Sequence, residues 1–302
     1  MGFFLPHGLL RQILKKMSKL KIAIQKSGRL SEKSIDLLEK CGLKITSRGS
    51  KLLASVKNFP AEILFLRDDD IPQYVEQGVA DLGILGYNEV CEKKKNITTV
   101  SKLGFARCRM SLAIPKEENY NGVDYFSSKR VATSYPNVLK SYFEDNNINA
   151  QIEEIGGSVE IAPSIGLSEA ICDIVSTGST LMTNGLKEVE VILESEAVLI
   201  AKQELSKEKQ EVLDKLLFRI NAIKAAKNKK YILLNAPTDS VEAISEKLPS
   251  LKSPTIMPLQ TPDWCSLHSV IEEDDFWNVI DQIKALGAEG ILIFPIEKMI
   301  AQ

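Results

Sequence analysis

From position 20 onward the apolar residues change period repeatedly. LKIAIQ (20–25) alternates apolar and polar positions and predicts a strand, whereas LSEKSIDLLEKCG (30–42) spaces its apolar residues for a helix that ends at Gly42. AEILFLR (61–67) predicts a second strand, IPQYVEQGVA (71–80) a helix with Pro72 in its first turn, and DLGILG (81–86) a buried strand. Strands alternating with helices predict a largely parallel sheet covered on both faces, so residues 20 to about 108 read as one α/β unit.

A second unit repeats the rhythm. RVATSY (130–135) predicts a strand, PNVLKSYFEDNN (136–147) a helix opened by Pro136, and INAQIEEIG (148–156) a strand. LSEAICDIVS (167–176) predicts a helix running into another strand. VEVILESEAVLIA (189–201) is followed by a long helical stretch at 206–230. The last part reads YILLNA, DSVEAISEKLP, SPTIMPL, DWCSLHSVIE, DDFWNVIDQIKALG and GILIFPIE, in the order βαββαβ of a ferredoxin-like split unit. The resulting division has an extension at 1–19, one lobe at 20–108 and 199–228, a second at 109–198, and a third domain at 229–302.

Composition narrows the class. Of 302 residues, 44% are hydrophobic and 26% charged, the balance of an ordinary globular chain. A net charge of −2 lacks the basic excess of a dedicated nucleic-acid binder. Five scattered cysteines show no paired metal spacing and fit a reducing cytoplasm. No run approaches 18 apolar residues, so no membrane span is expected. The N-terminus, MGFFLPHGLLRQILKKMSKL, places its charge after the apolar run, the reverse of a signal peptide. It reads either as an amphipathic tail or as an upstream start, with Met17 as the alternative initiator.

The chemistry concentrates in CDIVSTGST (172–180). A strand runs into four hydroxyls and a glycine, and successive amides in such a turn form a concave anion site suited to a phosphate monoester. Asp173 is poorly explained as a phosphate ligand but can accept both hydroxyls of a sugar diol. A plain helix cap is the alternative reading of the same turn. No Walker phosphate motif is present.

An acid followed by STGST resembles the phosphoribosyl-diphosphate loop of phosphoribosyltransferases. Together with IQKSGRL, RDDDIPQYVEQGVADLGILGYN, FARCRMSLAIP, RVATSYP, GSVEIAPSIGLSEAICDIVSTGSTLMTNGL and the closing SPTIMPL…LGAEGILIFPIEKM, the chain is similar over residues 20–302 to the ATP phosphoribosyltransferases in their long form. The resemblance implies an α/β fold of two lobes like those of periplasmic binding proteins, plus a ferredoxin-like regulatory domain. It also implies a reaction: with magnesium, N1 of the adenine of ATP displaces pyrophosphate from phosphoribosyl pyrophosphate. Assembly as a dimer or hexamer, a cytoplasmic location, and inhibition by histidine through the third domain come with the family. Neither nucleic acid nor membrane is an expected partner.

Within that resemblance, Ser176, Thr177, Gly178, Ser179 and Thr180 hold the 5-phosphate, and Asp173 and Glu160 hold the ribose hydroxyls. Arg29 and Arg67, each just after a strand, stabilise the departing pyrophosphate. Lys26, Gly28, Arg29 and Asp81 are the ATP-side candidates. Asp68, Asp69 and Asp70 read as a helix cap with solvated neighbours rather than a magnesium cluster, and the protein's magnesium ligands and general base stay unassigned. Histidine contacts carry over to Asn235, Thr255, Ser269, Val270 and Gly290. Some relatives have an acid at the position of Asn235, and an amide there makes only neutral hydrogen bonds. The rival readings are a solute-binding protein, a phosphoribosyltransferase for another base, and a purely regulatory subunit.

Overall fold

The computed structural model describes residues 19–46, 52–248 and 253–300. Most of the N-terminal extension, with Met17 and His7, lies outside the described residues. The first unit opens with β1 (Leu20–Gln25), in which Leu20 and Ile22–Ile24 are buried and Lys21 is exposed. There follow α1 (Arg29–Lys40), β2 (Ile45–Thr46), β3 (Leu53–Val56), β4 (Ala61–Leu66), α2 (Ile71–Glu76), β5 (Leu82–Gly86), α3 (Tyr87–Lys93) and β6 (Ile97–Lys102). A second lobe comprises β7 (Cys108–Pro115), β8 (Arg130–Thr133), α4 (Pro136–Asp145), β9 (Gln151–Glu154), β10 (Ala170–Val175), α5 (Ser179–Thr183) and β11 (Leu186–Ser195). The chain then returns to the first lobe with β12 (Ala197–Lys202) before α6 (Lys207–Ala226).

The first sheet has the order β2-β3-β4-β1-β5-β12-β6, and the second β11-β7-β10-β8-β9. Neither is largely parallel. In the first, only β1 with β4 and β1 with β5 run parallel. The reason is connection length. Parallel neighbours need a crossover such as α1 or α2, whereas β12 arrives from the other lobe through a single residue after β11 and enters between β5 and β6 antiparallel to both. The helix expected at the start of 167–176 is also absent. β10 begins already at Ala170, and the Glu169 N–H bonds the Arg130 carbonyl beside its start, which leaves too few residues for a helical turn.

The first core is closed around β5. A Cβ on Gly83 would lie 2.5 Å from Ile71 Cγ2 and 3.0 Å from Ile200 Cγ1, both buried. Gly83→Ala is therefore expected to lower unfolding stability by about 1–3 kcal/mol through overpacking. A denaturant titration reads this directly, and an unchanged midpoint would mean that α2 shifts freely.

Internal packing divides the chain into Met1–Leu216 and Leu217–Gln302, a division that falls within α6. The second unit contains β13 (Lys229–Pro237), α7 (Val241–Lys247), β14 (Thr255–Pro258), β15 (Trp264–Glu272), α8 (Glu273–Ala285) and β16 (Glu289–Pro295). Its sheet order, β14-β15-β13-β16, is that of the expected βαββαβ module. Ile232, Leu234 and Ala236 of β13 pack with Leu267 and Ile271 of β15 against Ile244, Phe276 and Ile283 of the helices. The opposite face carries Tyr231, Leu292 and Phe294, all exposed. No helix among the described residues is long and apolar enough to cross a membrane.

Candidate active site

The parallel strands of both lobes decide where the polar loops gather, because all of them open at their C-terminal ends. Beyond β1 the pairing with β4 continues by one bond, Lys26 N–H to the Leu66 carbonyl at 2.7 Å, which brings Lys26 beside Arg67. Gln25 Nε2 also donates to Asp68 Oδ2 at 3.4 Å. Gly28, at φ +91°, turns the chain into α1, whose first residue is Arg29. Lys26, Gly28 and Arg29 are exposed, and Arg67 holds Asp69 only loosely, at 3.5 Å. Asp70 sits at the start of α2 but makes no side-chain capping bond. A 3-10 turn over Asp68–Asp70 feeds directly into the helix instead.

Asp81 lies elsewhere. It precedes β5, at the opposite edge of the sheet, where it is 2% exposed. Its carboxylate accepts from Lys21 N–H at 2.9 Å and from Lys209 Nζ at 2.7 and 2.8 Å. This side chain joins β1, β5 and α6 and does not face a ligand, which corrects the expectation of an ATP contact.

In the second lobe β10 delivers Asp173. Its Oδ1 accepts the Ile174 N–H at 2.7 Å. Burial pushes the Asp173 carboxyl above its ordinary range, the Ile174 N–H opposes that, and the Glu160 carboxylate, on a 3-10 turn packed against β10, raises it further. The hydroxyl turn follows at once. Ser176, Thr177, Ser179 and Thr180 are exposed, Thr177 Oγ1 lies 3.0 Å from Ser179 Oγ, and Gly178 adopts φ +80° before α5. A Cβ on Gly178 would meet only Val175, at 3.9 Å, so the glycine is required by its left-handed backbone and not by crowding.

Residues outside the expected set hold this turn. Arg109 on β7 pairs side by side with Val175, bonds Glu188 through Nε and Nη2, and reaches the Ser176 carbonyl with Nη1 at 3.3 Å. The Arg109 guanidinium, helped by Ser111 Oγ at 2.7 Å, holds Glu188 below the usual carboxylate range. Lys116 Nζ donates to the Met182 carbonyl at 3.1 Å. The signal in the sequence was the polar alternation Arg109, Ser111 within an otherwise apolar β7, one strand from the loop.

A further polar group ties the lobes together. Asn88, at the start of α3, shares two bonds with Ser195: its N–H donates to Ser195 Oγ at 3.1 Å, and that hydroxyl donates to Asn88 Oδ1 at 2.9 Å. Its Nδ2 donates to Glu89 Oε1 at 3.2 Å and contacts the Tyr135 hydroxyl at 3.5 Å. Glu92, 5% exposed, caps α4 by accepting from Asn137 N–H at 3.1 Å and Val138 N–H at 3.0 Å. Asn88 thus links Glu89 of its own helix to Tyr135 of the other lobe. An acid in the first turn of a helix normally reads as a complement to the helix dipole, and no local pattern signals this link.

In the second unit, Asn235 and Gly290 are neighbours: a Cβ on Gly290, at φ +59°, would lie 3.3 Å from Asn235 Nδ2. Thr255 pairs with His268 and Asn235 with Ser266, so both occupy the face away from the helices, with β15 between them. Val270 pairs with Tyr231 on that same face. On it His268 bonds Tyr231 Oη at 2.7 Å and Ser266 Oγ at 3.1 Å. Ser269 is different. It pairs with the core residue Ile232 and is 6% exposed, so its side chain lies on the helix side of the sheet, away from Asn235 and Thr255. Of the five expected histidine contacts it is the one whose side chain does not share the open face with Asn235, Thr255 and Val270.

Comparison with known proteins bears on these sites. The family model HisG, ATP phosphoribosyltransferase, matches residues 67–222, and the model HisG, C-terminal domain, matches 226–298. The ATP phosphoribosyltransferase of Cytophaga hutchinsonii is 54% identical over 281 residues, covering 93% of this chain and 98% of that protein. That of Parabacteroides distasonis is 56% identical, covering 93% and 99%. A solved ATP phosphoribosyl transferase (HisG:HisZ) complex from Thermotoga maritima superposes with a TM-score of 0.59 at 33% identity, covering 67% of this chain and 96% of that one. With matches running through both units, this chain belongs to the ATP phosphoribosyltransferase family, pentosyltransferases of the first step of histidine biosynthesis.

Proposed function

We propose that the cleft between the lobes transfers the 5-phosphoribosyl group of phosphoribosyl pyrophosphate to N1 of the adenine of ATP, with the ribose over β10. The observation that carries this placement is the end of β10, where two facing acids, Asp173 and Glu160, stand beside an exposed hydroxyl turn from Ser176 to Thr180. The turn takes the 5-phosphate, and the acids take the ribose diol. Lys26, Arg29 and Arg67 supply the positive charge that the triphosphate and the departing pyrophosphate require, and a preorganised donor of this kind is worth about 3–4 kcal/mol in the transition state. Adenine N1 brings its own lone pair, so positioning carries much of the rate.

Among the described residues no three His, Cys, Asp or Glu side chains converge as a metal cage. Magnesium is assigned to the diphosphate substrate, because phosphate oxygens are its natural ligands. The exposed apolar face of the C-terminal sheet, with Tyr231, Leu292 and Phe294, suits contact between copies of a homo-oligomer, the dimer or hexamer of the long form. Asn235, Thr255, Val270 and Gly290 on that module are the histidine contacts, and a cytoplasmic setting completes the reading.

The test is an absorbance assay for phosphoribosyl-ATP with purified protein, ATP, phosphoribosyl pyrophosphate, magnesium and pyrophosphatase, run with and without histidine. Product formation suppressed by histidine is expected. Activity indifferent to histidine would leave the C-terminal module as an assembly element, and no product from folded protein would overturn the placement.

A further inference from the structure

The hydroxyl turn is gripped by a cation whose charge is already matched. Arg109 on β7 stands beside Val175, the last residue of β10. Its Nε and Nη2 bond Glu188 of β11, and Ser111 Oγ donates to the same carboxylate at 2.7 Å. Held on that edge, the guanidinium fork has a fixed direction. Nη1 remains, and it donates to the Ser176 carbonyl, the first of the turn, at 3.3 Å. Among the described residues no acceptor takes the N–H of Thr177 or of Gly178.

The Ser176 carbonyl and the Thr177 N–H belong to one peptide group, and in a trans peptide the two point in opposite directions. A carbonyl held on the guanidinium therefore turns the Thr177 N–H away from it. Without that anchor the peptide group can rotate, and the rotated form presents a carbonyl oxygen where an anion needs a donor. We propose that Arg109 is a positioning residue for phosphoribosyl transfer: by anchoring the Ser176 carbonyl it fixes the Thr177 amide in the direction that receives the 5-phosphate of phosphoribosyl pyrophosphate. The inference rests on the placement of that phosphate at the hydroxyl turn. Arg109 acts through the backbone and touches no substrate. Its pairing with Glu188 serves the same end, because a guanidinium held along one edge cannot swing into the site as a phosphate ligand.

The experiment measures ribose 5-phosphate binding by calorimetry, which needs no transfer, in the full-length parent, Arg109→Lys and Glu188→Gln. A lysine keeps a charge for Glu188 but has no fork to span the carboxylate and the Ser176 carbonyl. When the receiving orientation falls to about a tenth of the population, the apparent dissociation constant rises about tenfold. That rise is expected for Arg109→Lys, with a melting temperature close to the parent's. KM for phosphoribosyl pyrophosphate should rise by a similar factor, with KM for ATP changed less than about twofold. Glu188→Gln should show the crossed pattern. It loses the ion pair between β7 and β11, and so stability, while the Gln carbonyl still accepts from the guanidinium and affinity falls less than about threefold. Unchanged ribose 5-phosphate binding in Arg109→Lys would overturn the proposal. Affinity lost in step with stability in both variants, or a lysine variant that does not fold, would do the same and leave Arg109 as a brace between strands. A parent that binds no ribose 5-phosphate would instead remove the phosphate from the turn, and the proposal with it.

Discussion

Asp173→Asn is expected to raise KM for phosphoribosyl pyrophosphate by about 10- to 150-fold, the cost of losing a charged hydrogen bond of about 1.5–3 kcal/mol, while KM for ATP moves far less. The same substitution should make the protein more stable at neutral pH. Asp173 is buried and faces Glu160, and both effects disfavour its charged form. Its folded carboxyl value lies above the unfolded one, so its contribution to stability is fully present below the unfolded value and is lost as the pH rises through the folded one. An amide has no such loss. The melting temperature of Asp173→Asn should exceed that of the parent at pH 7, by about 2–4 °C for each kcal/mol recovered, and the difference should vanish below about pH 4. A site that is strained in the empty protein and satisfied by its ligand produces this opposition of stability and function. Equal effects on the two substrates would contradict the ribose assignment.

Lys209→Met carries the largest expected loss of stability, about 3–5 kcal/mol in a denaturant titration. The side chain of Asp81 is 3% exposed and that of Lys209 25%, so removing the ammonium leaves a carboxylate buried with only the Lys21 N–H for compensation. The pair joins the N-terminal edge of the first sheet to α6. Asp81→Asn combined with Lys209→Met should recover much of the loss, because the uncompensated charge goes with it. Neither change should alter KM for ATP. A rise in KM for ATP at preserved stability would restore Asp81 to the nucleotide site.

These two acids show where the reading of residues stops. Both follow apolar–polar patterns next to a strand, and both are aspartates near a glycine. What separates them is the strand end they occupy. Asp173 lies toward the end of β10, before the hydroxyl turn, whereas Asp81 lies just before β5 begins, and in a parallel array those ends belong to opposite edges. Ser269 and Asn235 differ in the same way: both lie on strands of one sheet, but on opposite faces, which only the register fixes. Arg109 and Glu188 are 79 positions apart and meet because β7 lies between β10 and β11. No local pattern encodes that adjacency.

The sequence by itself determined the alternation of strands and helices in each lobe, the βαββαβ order of the last module, the hydroxyl turn after β10, and through its motifs the family. These are properties of short segments, set by side-chain period, turn chemistry and glycine conformation. Tertiary structure decided the mixed strand directions, which follow from β12 returning antiparallel between β5 and β6. It also decided which polar residues share an edge, and the meeting of Asn88 with Ser195 and Tyr135 across the lobes. Those depend on contacts between residues distant in the chain, whose pairing is set by the packing of whole elements and not by the segments that contribute them.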